Sequence, residues 1–194
     1  MPFIRENESM SQSTPTMSRR RLLQAAASGL TLLLPGAVTA AAAPTAAQPR
    51  GPFYPDRVPL DKDNDLVRVD GRDSPAAGEI TYLQGRVLDP NGRPVNGALV
   101  EIWQCDANGR YIHRLDDRRV ARDPGFQGYG RFETTADGRY GFRTIKPVPY
   151  PGRAPHIHVA VRVPGSRPLV TQMYVKGASE NQWDWLLNGV SDGA

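Results

Sequence analysis

Residues 80–109 read ITYLQGRVLDPNGRPVNGALVEIWQCDANG, and strand formers alternate with turns along this stretch. Residues 80–88 are rich in strand formers and run into the turn sequence DPNG at residues 89–92, with proline second and glycine fourth. Residues 98–105 form a second candidate strand, which the turn sequence of residues 106–109 closes. This spacing is typical of an antiparallel sheet.

Three further strands are predicted downstream, at residues 139–143, 156–163 and 169–175. No helical periodicity of useful length occurs before residues 181–187. Residues 106–136 are a long polar excursion between strands, and such excursions more often cover a ligand than serve only as connections. We therefore predict an all-β fold in which this loop forms one wall of a site.

The motif His156-Ile157-His158 carries the chemistry of that site. Side chains at positions i and i+2 of a strand share a face roughly 6–7 Å apart, so both imidazoles can bind one metal ion. Tyr111 and Tyr150 can complete the set, and two phenolates with two imidazoles favour Fe(III) over Fe(II). The expected architecture is an antiparallel β-sandwich whose long loops surround a metal site.

Composition limits the function classes. The chain has 194 residues, of which 39% are hydrophobic and 23% charged, with 18 prolines and 19 glycines, as expected for one globular domain rich in turns. The formal net charge is +4, but no basic run interleaved with aromatic residues indicates nucleic-acid binding. Cys105 is the single cysteine, so no intrachain disulfide can form.

The N-terminal segment resembles a twin-arginine export signal. Paired arginines in residues 18–24 precede an apolar stretch at residues 22–34, and small residues follow up to residue 43. The apolar stretch is too short for a membrane anchor, which needs roughly 20 residues. We expect residues 1–43 to be removed, leaving a periplasmic or secreted protein without a stable membrane anchor. Residues 44–79 are then a proline-rich N-terminal arm, and residues 80–194 are the sandwich domain.

Several segments together resemble the intradiol ring-cleavage dioxygenases, and most of all the protocatechuate 3,4-dioxygenase branch. The resemblance spans about residues 49–176 in consistent order, which is far more specific than a lone His-x-His. The segments that carry it are residues 51–55, 83–89, 92–98, 100–111, 144–150, 153–158 and 171–174.

The resemblance implies one non-haem Fe(III) that supports insertion of both atoms of O2 into a catechol between its hydroxylated carbons. The product is a muconate-type diacid. Tyr111 and His156 correspond to the equatorial ligands, and Tyr150 and His158 to the axial ligands. In the family the catechol displaces the axial tyrosine, whose phenolate can help take up the substrate protons, and the resemblance implies that Tyr150 is that ligand.

The same resemblance assigns roles outside the ligand set. Arg153 stabilises negative charge that develops on the ring, and Gln172 supplies a neutral hydrogen bond nearby. The implied partners are a small aromatic diol and O2. An oligomer or a partner subunit, as in protocatechuate enzymes, is left open, and the ring substituent is not specified.

Three departures from the family pattern bear on the substrate. The segment of residues 151–155 is short, and Gly152 leaves the pocket more open there. Residues 44–79 are too few and too rich in proline for the helical dimerisation domain of the catechol and hydroxyquinol branches. The chain also stops soon after Gln172, so either its end is unusual or the sequence is a fragment.

Other interpretations remain open at this point. Strand histidines can face a wet groove, and half-buried tyrosines are common in sandwiches. A metal-free sandwich could act as a binding module, because fold does not fix function. A zinc hydrolase could use His156 and His158, but a carboxylate ligand would be expected and the strand contains none. We interpret His113 as a loop or pocket residue.

Overall fold

The computed structural model describes residues 3–4, 43–59 and 61–190. This part of the chain is nearly all β-structure, so the expected fold class is confirmed. It contains no helix long and apolar enough to cross a membrane. The elements in chain order are β1 (Phe3–Ile4), β2 (Ile80–Arg86), β3 (Leu99–Trp103), β4 (Tyr129–Glu133), β5 (Arg139–Ile145), β6 (His156–Arg162), β7 (Leu169–Val175), a 3-10 helix (Ser179–Gln182) and α1 (Trp185–Asn188).

The strands form two sheets. The larger sheet has the order β1-β7-β6-β3-β4, and the second pairs β2 with β5. All pairs are antiparallel except β1 with β7, which is parallel. In the larger sheet, β6 is central and is flanked by β3 and β7.

The main core lies on one face of the larger sheet. Alternate residues of β6, Ile157 and Val159, are buried there together with Phe142 of β5 and Leu83 of β2. Because successive strand residues point to opposite faces, His156 and His158 lie on the other face of β6. The sandwich core and the candidate site are therefore on opposite sides of one sheet.

The interpretation of residues 106–136 as loop was incomplete, because β4 lies within them and pairs with β3. Gly130 interrupts the strand pattern there, since glycine is a poor strand former. The structure shows why glycine occupies this position. A Cβ at Gly130 would lie 2.5 Å from Leu66 Cδ1 and 2.6 Å from the Asp63 carbonyl oxygen, so backbone crosses the strand at this point.

Part of the N-terminal arm packs into the core. Leu66 and Val67 are fully buried, and the Leu66 amide donates to the Arg143 carbonyl at 2.8 Å. The Gln127 amide donates to the Leu66 carbonyl at 3.0 Å, which ties the arm to the segment that leads into β4. The arm is thus a structural part of the sandwich.

The expected export signal, residues 1–43, lies outside the described residues except for β1 and Ala43. It stays a prediction.

Candidate metal centre

Two imidazoles meet at the start of β6. His156 and His158 are 1% and 2% exposed, and their Nε2 atoms lie 3.2 Å apart. Their rings are nearly perpendicular, with centroids 4.8 Å apart. The strand period therefore brings together the pair that the sequence placed on one face.

The hydrogen bond of His156 fixes its tautomer. Its Nδ1–H donates to the Ala154 carbonyl at 2.7 Å, which leaves the Nε2 lone pair directed at the cluster. Burial, together with the charge of Arg153, lowers the pKa of His156 to about 4. Burial and the charges of His156 and Arg153 hold the pKa of His158 well below its usual value. Both rings are therefore neutral at pH 7, the form that metals bind.

Packing on two sides holds the His158 ring. Trp103 stacks on it with ring centroids 4.9 Å apart and an interplanar angle of 3°. Gly51 approaches the ring so closely that a Cβ there would lie 3.3 Å from Cε1. Gly51 also has φ +72°, which favours glycine. The N-terminal arm therefore covers the site.

The two tyrosines border the imidazole pair. Tyr111 Oη lies 3.4 Å from His156 Nε2, and the Tyr150 ring centroid lies 5.5 Å from that of His156. The Tyr111 and Tyr150 rings are 5.8 Å apart, edge to face. Tyr111 is buried, whereas Tyr150 is only partly buried. All four predicted ligands thus lie in one cluster, and their role as ligands stays a prediction.

The environment of the phenols fits a highly charged cation. Burial and the neighbouring Tyr150 raise the pKa of Tyr111 well above its usual value, and burial also raises the pKa of Tyr150. A buried phenolate therefore needs a compensating positive charge. Fe(III) would supply it, because two phenolates offset two of its three charges. The donor set of two neutral imidazoles and two phenols fits this ion.

The alternative zinc site finds no support in the described ranges. Within them, no group of three or more His, Cys, Asp and Glu side chains could hold a metal ion. A metal bound by His156 and His158 would therefore take further ligands from the tyrosines.

Arg153 lies beside the cluster in a network of hydrogen bonds. Its side chain is 11% exposed, so it is not a surface residue. Its Nη2 donates to Gln172 Oε1 and, at 3.2 Å, to Tyr174 Oη. Gln172 is 1% exposed and pairs with His158 across β6 and β7. The structure therefore brings both predicted non-ligand residues next to the imidazoles.

Two further residues at the site were not predicted from the sequence. The guanidinium carbon of Arg118 lies 4.8 Å from the Tyr150 ring centroid. Arg118 also forms an ion pair with Asp116, and the Asp116 carboxylate accepts a hydrogen bond from the Tyr111 amide at 2.7 Å. Asp184 is fully buried and accepts a hydrogen bond from Arg153 Nε at 2.9 Å. A weak signal existed for Asp184 only, because Asp before an apolar run is a common helix N-cap.

His113 is half-buried outside the four-residue cluster. Its ring centroid lies 6.1 Å from that of Phe53, which stacks on Tyr111 at 5.1 Å. His113 also lines a pocket of about 390 Å³ together with Tyr111 and several arginines.

Comparisons with known proteins place these observations in a family. A family model described as Dioxygenase matches residues 50–192. The chain is similar to the protocatechuate 3,4-dioxygenase beta chain of Burkholderia cepacia, with 43% identity over 68% of this chain and 60% of that protein. It is also similar to hydroxyquinol 1,2-dioxygenase of Corynebacterium glutamicum, with 32% identity over 73% of this chain and 50% of that protein.

Solved structures give the same picture. The dioxygenase domain of a dioxygenase carbohydrate-binding protein fusion from Streptomyces sp. SirexAA-E matches with a TM-score of 0.59 and 33% identity, over 74% of this chain and 82% of that one. Hydroxyquinol 1,2-dioxygenase from Pseudomonas putida DLL-E4 matches with a TM-score of 0.58 and 26% identity, over 77% of this chain and 54% of that one. The chain spans only 50–60% of the length of the two curated relatives named above.

Proposed function

The chain belongs to the Dioxygenase family, and from this we propose that it is a non-haem Fe(III) intradiol ring-cleavage dioxygenase. It would open a catechol-type ring between the two hydroxylated carbons with O2 and release a muconate-type diacid. The observation that carries the proposal is the cluster of two neutral imidazoles and two phenols on the outer face of β6. The names of the similar proteins support the same reaction class.

The proposed iron ligands are Tyr111, Tyr150, His156 and His158. Bound Fe(III) would hold a catecholate and make its electron-rich ring reactive toward O2. Of the four, Tyr150 would be the residue best able to give way to substrate. It is only partly buried, and the nearby Gly152 would accept a Cβ without any contact within 4 Å. Its phenolate oxygen could then take a proton from the incoming catechol.

Arg153 is proposed to stabilise negative charge that develops on the ring. Its guanidinium is largely buried beside the imidazoles, where a fixed positive charge acts more strongly than it would in water. Gln172 helps to hold it, because its amide oxygen accepts from Arg153 Nη2 while its amide nitrogen donates to the Pro49 carbonyl at 3.4 Å.

We also propose export through the twin-arginine route to the periplasm or outside the cell. Replacing Arg19 and Arg20 by lysine should retain the full-length chain in the cytoplasm, which cell fractionation measures. Export of the doubly substituted chain at the normal level would contradict this proposal.

The proposed substrate class is a small aromatic diol, and the assembly is open between a monomer, an oligomer and a complex with a partner subunit. Light scattering on the purified protein measures the assembly. A monomer with full activity would remove both assemblies from the proposal.

Oxygen uptake with a panel of substituted catechols tests the activity. Iron-loaded protein should absorb visible light through tyrosinate-to-Fe(III) charge transfer, and the band should shift when a catechol is added without O2. A protein that takes up no iron, stays colourless and shows no oxygen uptake on any catechol would overturn the proposal. It would favour a metal-free binding module of the same fold instead.

A further inference from the structure

The buried carboxylate of Asp184 connects the C-terminal helix to the candidate site. Its Oδ2 accepts from Arg153 Nε at 2.9 Å and from the Ala154 amide at 2.8 Å. Its Oδ1 accepts from the amides of Leu186 and Leu187, each at 3.0 Å, and so caps α1. One fully buried side chain therefore makes four hydrogen bonds in two directions.

The first direction fixes the guanidinium of Arg153. Asp184 accepts from Nε, while Gln172 and Tyr174 accept from Nη2. A guanidinium is planar, so acceptors at two of its nitrogens restrict both its position and its plane. Among the described residues, Asp184 is the acceptor for the Nε–H.

The same oxygen reaches His156 through one residue. Ala154 is fully buried, and its amide donates to Asp184 while its carbonyl accepts from His156 Nδ1. Hydrogen bonds on both sides of Ala154 therefore couple the carboxylate to the orientation of the His156 ring. Such outer contacts orient metal ligands in proteins.

We propose that Asp184 is a positioning residue that aligns Arg153 and His156 for the reaction. The effect on catalysis rests on the proposed function, whereas the hydrogen bond from Arg153 Nε to Asp184 does not. Capping alone would use only Oδ1, and serine or asparagine can cap without a buried charge. Capping does not explain why Oδ2 accepts hydrogen bonds from Arg153 Nε and the Ala154 amide beside the site.

Asp184→Asn and Asp184→Ser separate the two roles. Both side chains can still cap α1, but asparagine turns a donor toward Arg153 and serine is too short to reach it. We expect the turnover number per bound iron to fall roughly 10- to 100-fold in both, because small misplacements of catalytic groups cost about this much. Asp65→Asn is the matched control, since Asp65 also pairs with an arginine and accepts a backbone amide, and it should keep the wild-type turnover number.

A double-mutant cycle tests whether Asp184 acts through Arg153. In an Arg153→Ala background, Asp184→Asn should lower the turnover number less than it does in the native background, because only the link through Ala154 to His156 remains. A loss as large as in the native background would overturn the proposal. An unchanged turnover number for Asp184→Asn in the native background would also overturn it.

A second readout needs neither iron nor turnover. In iron-free protein, the Arg153 Nε–H should give a slowly exchanging NMR signal, which Arg153→Lys assigns by its loss. The signal should persist in Asp65→Asn and disappear in Asp184→Asn. If the signal persists in Asp184→Asn, Asp184 does not fix the Arg153 guanidinium. If the wild-type protein oxidises no catechol, the proposed function fails, and this signal alone then tests whether Asp184 fixes Arg153.

Discussion

The Nε2 atoms of His156 and His158 face each other at 3.2 Å inside a buried cluster. His156 already uses its Nδ1–H on the Ala154 carbonyl, so its Nε2 can only accept or bind a cation. His158 Nδ1 is buried and has no hydrogen-bond partner among the described residues. This arrangement of the two rings suits the proposed binding of one cation by both.

Loss of one ligand should therefore abolish iron binding. We expect His158→Ala and Tyr111→Phe to purify with little iron and without the visible absorption band, because each removes a buried donor from a set of four. Iron content by elemental analysis and the visible spectrum measure this. Tyr82→Phe is the control, because Tyr82 is 67% exposed. Normal iron content and turnover in His158→Ala would refute the proposed ligand set.

Gly51→Ala should weaken iron binding through contact with His158. Both Gly51 (φ +72°) and Gly71 (φ +76°) have a backbone that disfavours alanine, so each substitution should cost about 1–2 kcal/mol of unfolding free energy. Only at Gly51 would the new Cβ contact a proposed ligand, at 3.3 Å from His158 Cε1, whereas Gly71 has nothing within 4 Å. Iron titration of both variants makes the comparison. Equal iron affinities in the two would show that the arm does not position His158.

Glu101→Gln should lower stability and change its dependence on pH. Glu101 is 4% exposed and accepts hydrogen bonds from Tyr54, Tyr129 and Arg162. Burial alone would raise its pKa, but these hydrogen bonds and the charge of Arg162 bring the pKa below its usual value. We expect a loss of about 1.5–3 kcal/mol at pH 7, as for hydrogen bonds to a charged group.

The sign of the pH effect follows from that lowered pKa. The ionised form of Glu101 stabilises the fold fully above the pKa of the unfolded chain, and this contribution is lost as the pH falls through the folded pKa. Urea unfolding should therefore show a gap between wild type and Glu101→Gln that is constant near neutral pH and closes in acid. Glu79→Gln, which removes a long ion pair whose carboxylate is largely exposed, should produce a much smaller gap. A gap that widens in acid would contradict the assignment.

Cys105 should resist thiol reagents in the folded protein. It is 1% exposed, and burial raises the pKa of its thiol to about 12, so almost no thiolate is present at pH 8. Reaction with a chromogenic disulfide should be slow in buffer and rapid in denaturant. Rapid labelling of the folded protein would mean that the packing around Cys105 opens readily.

Sequence patterns were sufficient where structure is local. β7 was predicted at residues 169–175 and occupies Leu169–Val175, and the period of two placed His156 and His158 on one face. β4 was missed because Gly130 suits a close backbone crossing that only the folded chain reveals. The role of Asp184 at the site was missed because its partner Arg153 is 31 positions away, and no sequence pattern in either segment predicts a contact with the other.

One face of β6 contributes to the core and the other carries the imidazoles, so both depend on the register in which this strand pairs with its neighbours. Its neighbours align His158 with Trp103 on one side and with Gln172 on the other. A slip of one position would turn Ile157 and Val159 toward the tyrosines and drive both imidazoles into the apolar interior. Deletion of a single residue in this strand would therefore disrupt the candidate site and the core together.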